Sequence, residues 1–156
     1  MIPSYIAGPF RHHTSWGIAQ NVHRAETIHL AACRLGLASI CPHTNTSHFQ
    51  GECSDRFWLE MTLEILRTVA CRGGILICVP GGWRTSSGTR GEMHEAQRIG
   101  MRRFEAVEIS DDPDVLRQAV CIAHAGKDAN GDETWSGGFG ELPGMTLGEW
   151  MEARRG

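Results

Sequence analysis

The chain has 156 residues, of which 41% are apolar, and this length and composition fit one globular domain with a buried core. The formal net charge is −3, so no overall basic field attracts the chain to nucleic acid. The sequence shows no secretory leader and no apolar stretch of membrane-spanning length, and its six cysteines form no C-x-x-C pair. We therefore expect a soluble protein of the reducing cytoplasm.

The first half of the chain alternates between two apolar patterns. Short apolar runs ended by glycine or proline are typical of buried strands, and apolar residues at helical spacing are typical of amphipathic helices. In chain order they predict a strand at 2–7, a helix from about 14 to 35, a strand at 37–41, a polar loop at 42–53 and a helix from 54 to about 69.

The same alternation continues in the second half. It predicts a central strand at 74–79, a loop at 80–87, a helix at 88–99, a strand at 104–109, a helix from 112 to about 123, a Gly-rich loop at 126–144 and a short helix opened by a capping box of Thr146 and Glu149. Strands alternating with helices predict an α/β domain over 1–125, with a parallel sheet and helices on both faces. The segment 126–156 then forms a loop and a final helix.

The stretch W-R-T-S-S-G-T-R-G-E-M-H-E-A, from Trp83 to Ala96, carries most of the candidate chemistry. It follows the central strand and opens a helix, and ligands of open parallel sheets bind at the carboxyl ends of strands. Backbone N–H groups at the start of a helix favour anions. Further donors and positive charge come from four side chains: Arg84, Ser86, Ser87 and Arg90.

Glu92 is expected in the first turn of that helix. At about 100° per residue it points the same way as Ala96 and Ile99, which predicts a carboxylate on the buried side. A buried carboxylate is costly unless it is paired or hydrogen-bonded. It either faces a cleft, as a functional group would, or only stabilises the helix dipole. Position alone leaves both interpretations open.

Three further groups of residues are weaker candidates. The segment Tyr5 to His13 (Y-I-A-G-P-F-R-H-H) follows the first strand, where Gly8 allows close backbone approach to a ligand, although a plain turn explains it equally well. The carboxylates of Glu60 and Glu64, one helical turn apart, are by default solvated. Four possible metal ligands match no common zinc spacing: Cys41, His43, His48 and Cys53.

Several of these residues recur together in one known superfamily. They are Tyr5-Ile6-Ala7-Gly8-Pro9, Asn21, Pro42-His43, Trp83 and the series S-x-G-x-R-x-E-x-x-x-A at Ser86, Gly88, Arg90, Glu92 and Ala96. In this order and spacing the chain resembles the nucleoside 2-deoxyribosyltransferase superfamily. It is most similar to the small phage and bacterial members that open with Y-I-[SA]-G-P. The resemblance covers about 2–109.

The resemblance implies a flavodoxin-like fold and a nucleophilic role for Glu92. Its carboxylate would attack the anomeric carbon of a nucleoside or nucleotide, the base would leave, and a second base or water would accept the sugar. Residues at the strand ends would bind the substrate: Tyr5, Gly8, Pro9, Phe10, Arg11, Trp83, Ser86, Ser87, Gly88 and Arg90. No cofactor or metal is implied. The resemblance does imply a homodimer, because related sites borrow residues from a neighbour's C-terminal region. In this chain those residues would be Trp135 or Trp150.

The chain departs from the family pattern at two places. Cys71-Arg72 stands where many relatives have Cys-Asp, and the family's sugar-orienting acid has no Asp counterpart. Glu64 fits that position best by spacing, and Glu60 fits less well. The missing Asp leaves a second hypothesis open, in which the chain binds a nucleotide without turnover. A third is a structural or partner-binding module whose Gly-rich tail folds on binding and which has no nucleotide affinity.

The basic residues near two strand ends favour a nucleoside 5′-monophosphate as the substrate. Arginine and a helix N-terminus together suit a phosphate group, and the group here combines Arg11, Arg84 and Arg90 with Ser86 and Ser87. The leading sequence-based expectation is therefore an N-glycosidic enzyme with a preference for the monophosphate.

Overall fold

A computed structural model of the chain describes residues 1–49, 51–127, 133–137 and 144–155. The strands are β1 (Pro3–Ala7), β2 (Ala38–Ile40), β3 (Ile75–Cys78), β4 (Arg102–Glu105), β5 (Val120–Lys127) and β6 (Glu133–Gly137). The helices are α1 (Ser15–Arg34), α2 (Pro42–Thr46), α3 (Asp55–Cys71), α4 (Gly82–Thr85), α5 (Ser87–Arg98), α6 (Pro113–Arg117) and α7 (Leu147–Ala153).

The strands form one six-stranded sheet in the order β2-β1-β3-β4-β5-β6. The first four strands in this order are parallel, and β5 and β6 add to the edge as antiparallel strands. The carboxyl ends of β1, β3 and β4 therefore meet at one edge of the sheet, here called the carboxyl edge. The opposite edge, where these strands begin, is the amino edge.

Helices cover both faces of the sheet, as the alternating pattern predicts. On one face α1, α6 and α7 pack on the strand side chains that point to that face, such as Ile6, Ile77 and Phe104. On the other face α3 and α5 pack on Tyr5, Leu76 and their neighbours. The α/β prediction with a flavodoxin-like arrangement is confirmed, and β1 and β3 lie at its centre.

The C-terminal part of the prediction is wrong in two respects. The helix expected to reach about residue 123 ends at Arg117, and β5 begins at Val120. Asp112 and Pro113 do open a helix, but Val120 and Ile122 are β-branched and pair readily with the open edge of β4. The Gly-rich segment contains β6, paired with β5, where a loop was expected over 126–144.

Smaller corrections concern the two segments at the carboxyl edge. The predicted loops at 42–53 and 80–87 each contain a short helix, α2 and α4. Strand β4 spans Arg102–Glu105, earlier in the chain than the predicted 104–109. The capping box before α7 is confirmed, because Thr146 N–H donates to Glu149 Oε2 at 2.8 Å and Glu149 N–H donates to Thr146 Oγ1 at 3.3 Å.

All six cysteines are free, and three of them are exposed: Cys33, Cys53 and Cys71. Within the described ranges, no helix combines the length and the apolar character that crossing a bilayer requires.

Candidate functional site

The middle of β1 and the middle of α5 meet through two side chains. Glu92 is the sixth of the twelve residues of α5, so the expectation that it lies in the first turn is wrong. The Tyr5 hydroxyl donates a hydrogen bond of 2.5 Å to Glu92 Oε1. Tyr5 is fully buried and Glu92 is 8% exposed, so water has little access to the pair. The prediction that Glu92 lies on the buried side of its helix is confirmed, and its partner is the tyrosine of the Y-I-A-G-P segment.

Burial governs the electrostatics of this pair. Desolvation raises the pKa of Glu92 from 4.5 to about 7, and the hydrogen bond from Tyr5 acts in the opposite direction. The pKa of Tyr5 is raised well above its ordinary value, by desolvation first and then by the charge of Glu92. At neutral pH the tyrosine therefore stays protonated and donates, while Glu92 is divided between its acid and carboxylate forms.

The start of α5 supplies further polar groups beside Glu92. Ser86 caps the helix, since its hydroxyl accepts from Thr89 N–H at 3.2 Å, and Ser87 is exposed. The Thr89 hydroxyl is buried, and no described group hydrogen-bonds to it. Arg90 is half-buried and pairs with no carboxylate in the described part of the chain. Gly88 lies beside Leu59 of α3.

The segment after β1 is held by two side chains from elsewhere in the fold. The buried His43 donates from Nε2 to the carbonyl oxygens of Gly8 (2.8 Å) and Pro9 (3.1 Å), and burial lowers its pKa. Asn21 Nδ2 lies 3.3 Å from the carbonyl oxygens of both Phe10 and the next residue. The residues Asn21 and His43, which the resemblance singled out, therefore position the backbone that would line a pocket.

Gly8 is required by packing between loops at the carboxyl edge. A Cβ atom on Gly8 would lie 2.9 Å from Val79 Cγ2, a separation that real Cβ atoms do not show. The backbone of Gly82 comes equally close to Pro9, where a Cβ would lie 3.0 Å from Pro9 Cδ. The structure thus shows a close approach of Gly8 to the chain's own β3–α4 segment, and its expected approach to a ligand stays a prediction.

Two of the arginines predicted to bind phosphate are neutralised within the protein. Arg11 forms an ion pair with Asp55, which joins the β1–α1 segment to the start of α3. Arg84 lies 4.1 Å from the centroid of the Trp83 ring, and its Nη1 is 3.2 Å from Glu105 Oε1. Of the three arginines, Arg90 alone is left without a carboxylate among the described residues.

Glu105, at the end of β4, is a residue that sequence reasoning missed. Its carboxylate accepts from Gly81 N–H at 2.7 Å and from Trp83 Nε1 at 3.3 Å, in addition to Arg84. It thereby fixes α4, the segment that leads into α5 and Glu92. The signal available in the sequence was an acidic residue at the end of a strand parallel to β3, where it faces the segment that follows β3.

The structure does not bring Glu64 to the Tyr5–Glu92 pair. Its side chain is 74% exposed and lies 3.4 Å from Arg67, while Glu60 pairs with Arg56 at 2.7 Å. The α3 residue near the Tyr5 hydroxyl is Thr62, whose hydrogen bond offsets part of the rise in the pKa of Tyr5. A solvated helix face, the default interpretation of the two glutamates, describes their surroundings.

Two further expectations from the sequence concern the tryptophans of the C-terminal region and a possible metal site. Trp150 is 3% exposed and packs against Phe104, so its ring belongs to the core of its own chain, and the Trp135 side chain lies outside the described residues. A search of the described residues finds no group of three or more His, Cys, Asp or Glu side chains that would hold a metal ion.

The raised pKa of Glu92 predicts a specific pH dependence of stability. The folded state favours the protonated carboxyl, so its stabilising effect is complete below pH 4.5 and is lost as pH rises through about 7. The free energy of unfolding of wild type relative to Glu92→Gln should fall by about 3 kcal/mol over this window, since one pKa unit is worth about 1.4 kcal/mol. Urea denaturation from pH 4 to 8.5 measures it.

Glu95→Gln is the matched control on the same helix. Arg98 and Arg67 lower the pKa of Glu95 to about 2, so the stability it contributes is present above its ordinary pKa and is lost only toward pH 2. The difference between wild type and Glu95→Gln should stay level between pH 5 and 8. A level difference for Glu92→Gln as well would contradict the assignment of a desolvated carboxyl.

The role of Glu105 is open to a local test. Replacing it by Gln leaves Gly81 N–H with a neutral acceptor, and hydrogen bonds to charged groups are the stronger ones, so exchange of this amide should speed up about tenfold. Glu108→Gln, at an exposed carboxylate three residues later, should leave the Gly81 rate unchanged. Equal rates in wild type and Glu105→Gln, measured by NMR, would remove Glu105 as the group that fixes α4.

Comparison with known proteins finds no match. No protein-family model, no curated protein and no solved structure is similar to the chain at a significant level. The functional interpretation therefore depends on the chain's own residues, and first of all on the hydrogen-bonded pair of Tyr5 and Glu92.

Proposed function

We propose that the chain cleaves or transfers the N-glycosidic bond of a nucleoside or nucleoside 5′-monophosphate, with Glu92 as the nucleophile. The observation that carries this proposal is the Glu92 carboxyl, buried between α5 and the sheet and hydrogen-bonded by Tyr5 through one oxygen. Perturbed carboxyl groups with one defined partner, at the strand ends of a parallel sheet, are typical of functional sites.

The chemistry requires one carboxylate oxygen to be free to react. Tyr5 holds Oε1 and leaves Oε2 as the atom that attacks the anomeric carbon of the sugar. As the C–O bond forms, the N-glycosidic bond breaks and its electron pair leaves with the base, which takes up a proton from water. A second base or water then displaces the carboxylate and completes transfer or hydrolysis.

The protonation of Glu92 sets the pH at which this step proceeds. Only the carboxylate form is nucleophilic, and with a pKa of about 7 its fraction grows as pH rises through neutrality. A low-dielectric site also strengthens the interaction of the carboxylate with the positive charge that develops on the sugar. The value of kcat/KM should therefore increase from pH 5.5 to 8.

A 5′-phosphate would find its partners at the start of α5. Arg90 has no carboxylate partner among the described residues, and the backbone N–H groups of the first turn favour an anion. Because Arg11 and Arg84 are engaged by Asp55 and Glu105, the preference for a monophosphate depends on Arg90. A bidentate guanidinium contact is worth more than a lysine contact at such a site.

Base release tests the proposal. Wild type should release free base from at least one member of a panel of ribo- and deoxynucleosides and their 5′-monophosphates, read by chromatography with and without an acceptor base. Glu92→Gln should abolish release, and Arg90→Gln should lower kcat/KM for the monophosphate at least about tenfold while sparing the nucleoside. Arg98→Gln, on the same helix and paired with Glu95, is the control.

Each outcome of this experiment has a meaning. Release that persists in Glu92→Gln, or a kcat/KM that falls as pH rises, would remove Glu92 as the nucleophile. Tight nucleotide binding without release would favour the second candidate, a nucleotide-binding protein. The observation in its favour is that Glu92 is only 8% exposed and that no orienting carboxylate accompanies it among the described residues.

The proposed setting is a homodimer in the cytoplasm, where free thiols such as Cys33, Cys53 and Cys71 stay reduced. Exposed apolar side chains lie at the carboxyl edge, at the start of α1 and around the start of α3: Trp16, Phe49, Phe57 and Leu59. A second copy over these residues would remove them from water and cover the mouth of the site.

Sedimentation at micromolar concentration tests the dimer. Wild type should sediment as a dimer, and replacing Phe57 by Ser should shift it toward the monomer, because burying an exposed aromatic ring contributes to association. Leu30→Ala removes an exposed apolar side chain near the opposite end of α1, roughly 20 Å along the helix from Trp16, and should have no effect. A monomeric wild type would contradict this part of the proposal.

A further inference from the structure

A cleft lies at the amino edge, and Glu92 is not among its lining residues. It has a volume of about 560 Å³, which is within the range of small-molecule sites. It is bounded by the ends of α3 and α5, at Gly73 and Gly100, and by α7, which contributes Trp150 and Arg154. None of the residues proposed to act on a nucleoside lines it.

The charged groups of this cleft are all positive. Arg102 and Arg154 line it, and their guanidinium carbons lie 5.6 Å and 5.0 Å from the centroid of the Trp150 ring. No acidic residue lines the cleft, and neither arginine pairs with a carboxylate in the described ranges. Elsewhere on the surface arginines pair with acids, as Arg34 and Arg67 do.

The helix ends around the cleft offset only part of this charge. The last carbonyl groups of α3 and α5 point to the cleft region, and a helix C-terminus carries about half a negative charge. Arg154 Nη1 lies 3.5 Å from the carbonyl oxygen of Gly73, so this guanidinium group partly balances the negative end of α3. The end of α7 also lines the cleft, so two full positive charges stand against about three half charges, and the cleft keeps a small net positive charge.

The remaining lining of the cleft is largely apolar. Ala70, Ile99, Met101 and Met145 are among its residues, so part of a ligand would lie against carbon atoms. An ordered anion alone would not use these residues, and a purely apolar ligand would leave two guanidinium groups without a counter-charge. The combination fits a molecule with an apolar body and one anionic group.

We propose that the amino-edge cleft binds a small amphipathic anion, with its phosphate or carboxylate held by Arg102 and Arg154 and its apolar body against Ile99, Met101 and Met145. The side chains of Arg102 and Arg154 lie against the same indole ring, which restricts both and lowers the entropy lost on binding. This site is independent of the chemistry proposed for Glu92.

The test uses phenyl phosphate as the probe and the ¹⁵N-labelled full chain. Titration should give saturable NMR shifts concentrated at the Gly73 and Gly100 amides and the Trp150 indole N–H. Inorganic phosphate and benzyl alcohol, which each carry half of the probe's chemistry, should bind at least about tenfold more weakly. Glu92→Gln should bind the probe as wild type does, since Glu92 does not line the cleft.

Variants identify the groups responsible. Arg102→Gln together with Arg154→Gln should weaken phenyl phosphate at least about tenfold, and Arg102→Gln alone should act in the same direction if the double variant folds poorly. Arg155→Gln removes an exposed positive charge next to the cleft and should change the affinity less than about twofold. An equal loss in Arg155→Gln would overturn the proposal, as would shifts confined to the start of α5 or equal binding of benzyl alcohol.

Discussion

The hydrogen bond from Tyr5 to Glu92 connects β1 to α5, the helix that begins at the carboxyl edge of the sheet. Both side chains belong to the α3–α5 side of the sheet, where water has little access to them. Removing the tyrosine hydroxyl would leave a buried acid without its partner, which costs more than the bond itself contributes. The same burial brings the pKa of Glu92 to about 7, so a structural contact is also a group that titrates at neutral pH.

The surroundings of this pair are fixed by side chains that bind backbone. His43 and Asn21 hold the carbonyl groups after β1, and Glu105 holds the amide of Gly81 before α4. These contacts bring the two loops together at Gly8 and Gly82, where no larger residue fits. Preorganised loops of this kind suit the proposed site, in which a sugar is placed against one carboxylate oxygen, because no binding energy is needed to order them.

The two edges of the sheet differ in the use of their arginines. At the carboxyl edge Arg11 and Arg84 are paired with acids that also tie loops together, and Arg90 remains beside the start of α5. At the amino edge Arg102 and Arg154 have no such acids among the described residues and lie against Trp150. The arginines of the carboxyl edge therefore serve mainly to hold loops together, whereas those of the amino edge have guanidinium groups that can bind an anionic ligand, as proposed.

Much of the fold could be predicted from local patterns. The strands before α1 and α5, the long helices and the capping box of α7 follow from apolar spacing and caps, which act over a few residues. The β-strand at Val120 could not, because its apolar residues fit a helix or a strand equally, and the open edge of β4 decided between them. Glu105 was missed for a related reason, since its partners lie on a segment that only strand pairing brings close.

The sequence by itself determined that Glu92 is a carboxylate on the buried side of a helix after the central strand, because helical periodicity fixes the direction of a side chain relative to its neighbours. Only the tertiary structure decided which group meets it. Tyr5 becomes the partner of Glu92, Glu64 is left in solvent, and Arg11 is taken by Asp55. These choices depend on the register of β1 against β3 and on the packing of α3 and α5 over both, and such long-range geometry has no local signature in the chain.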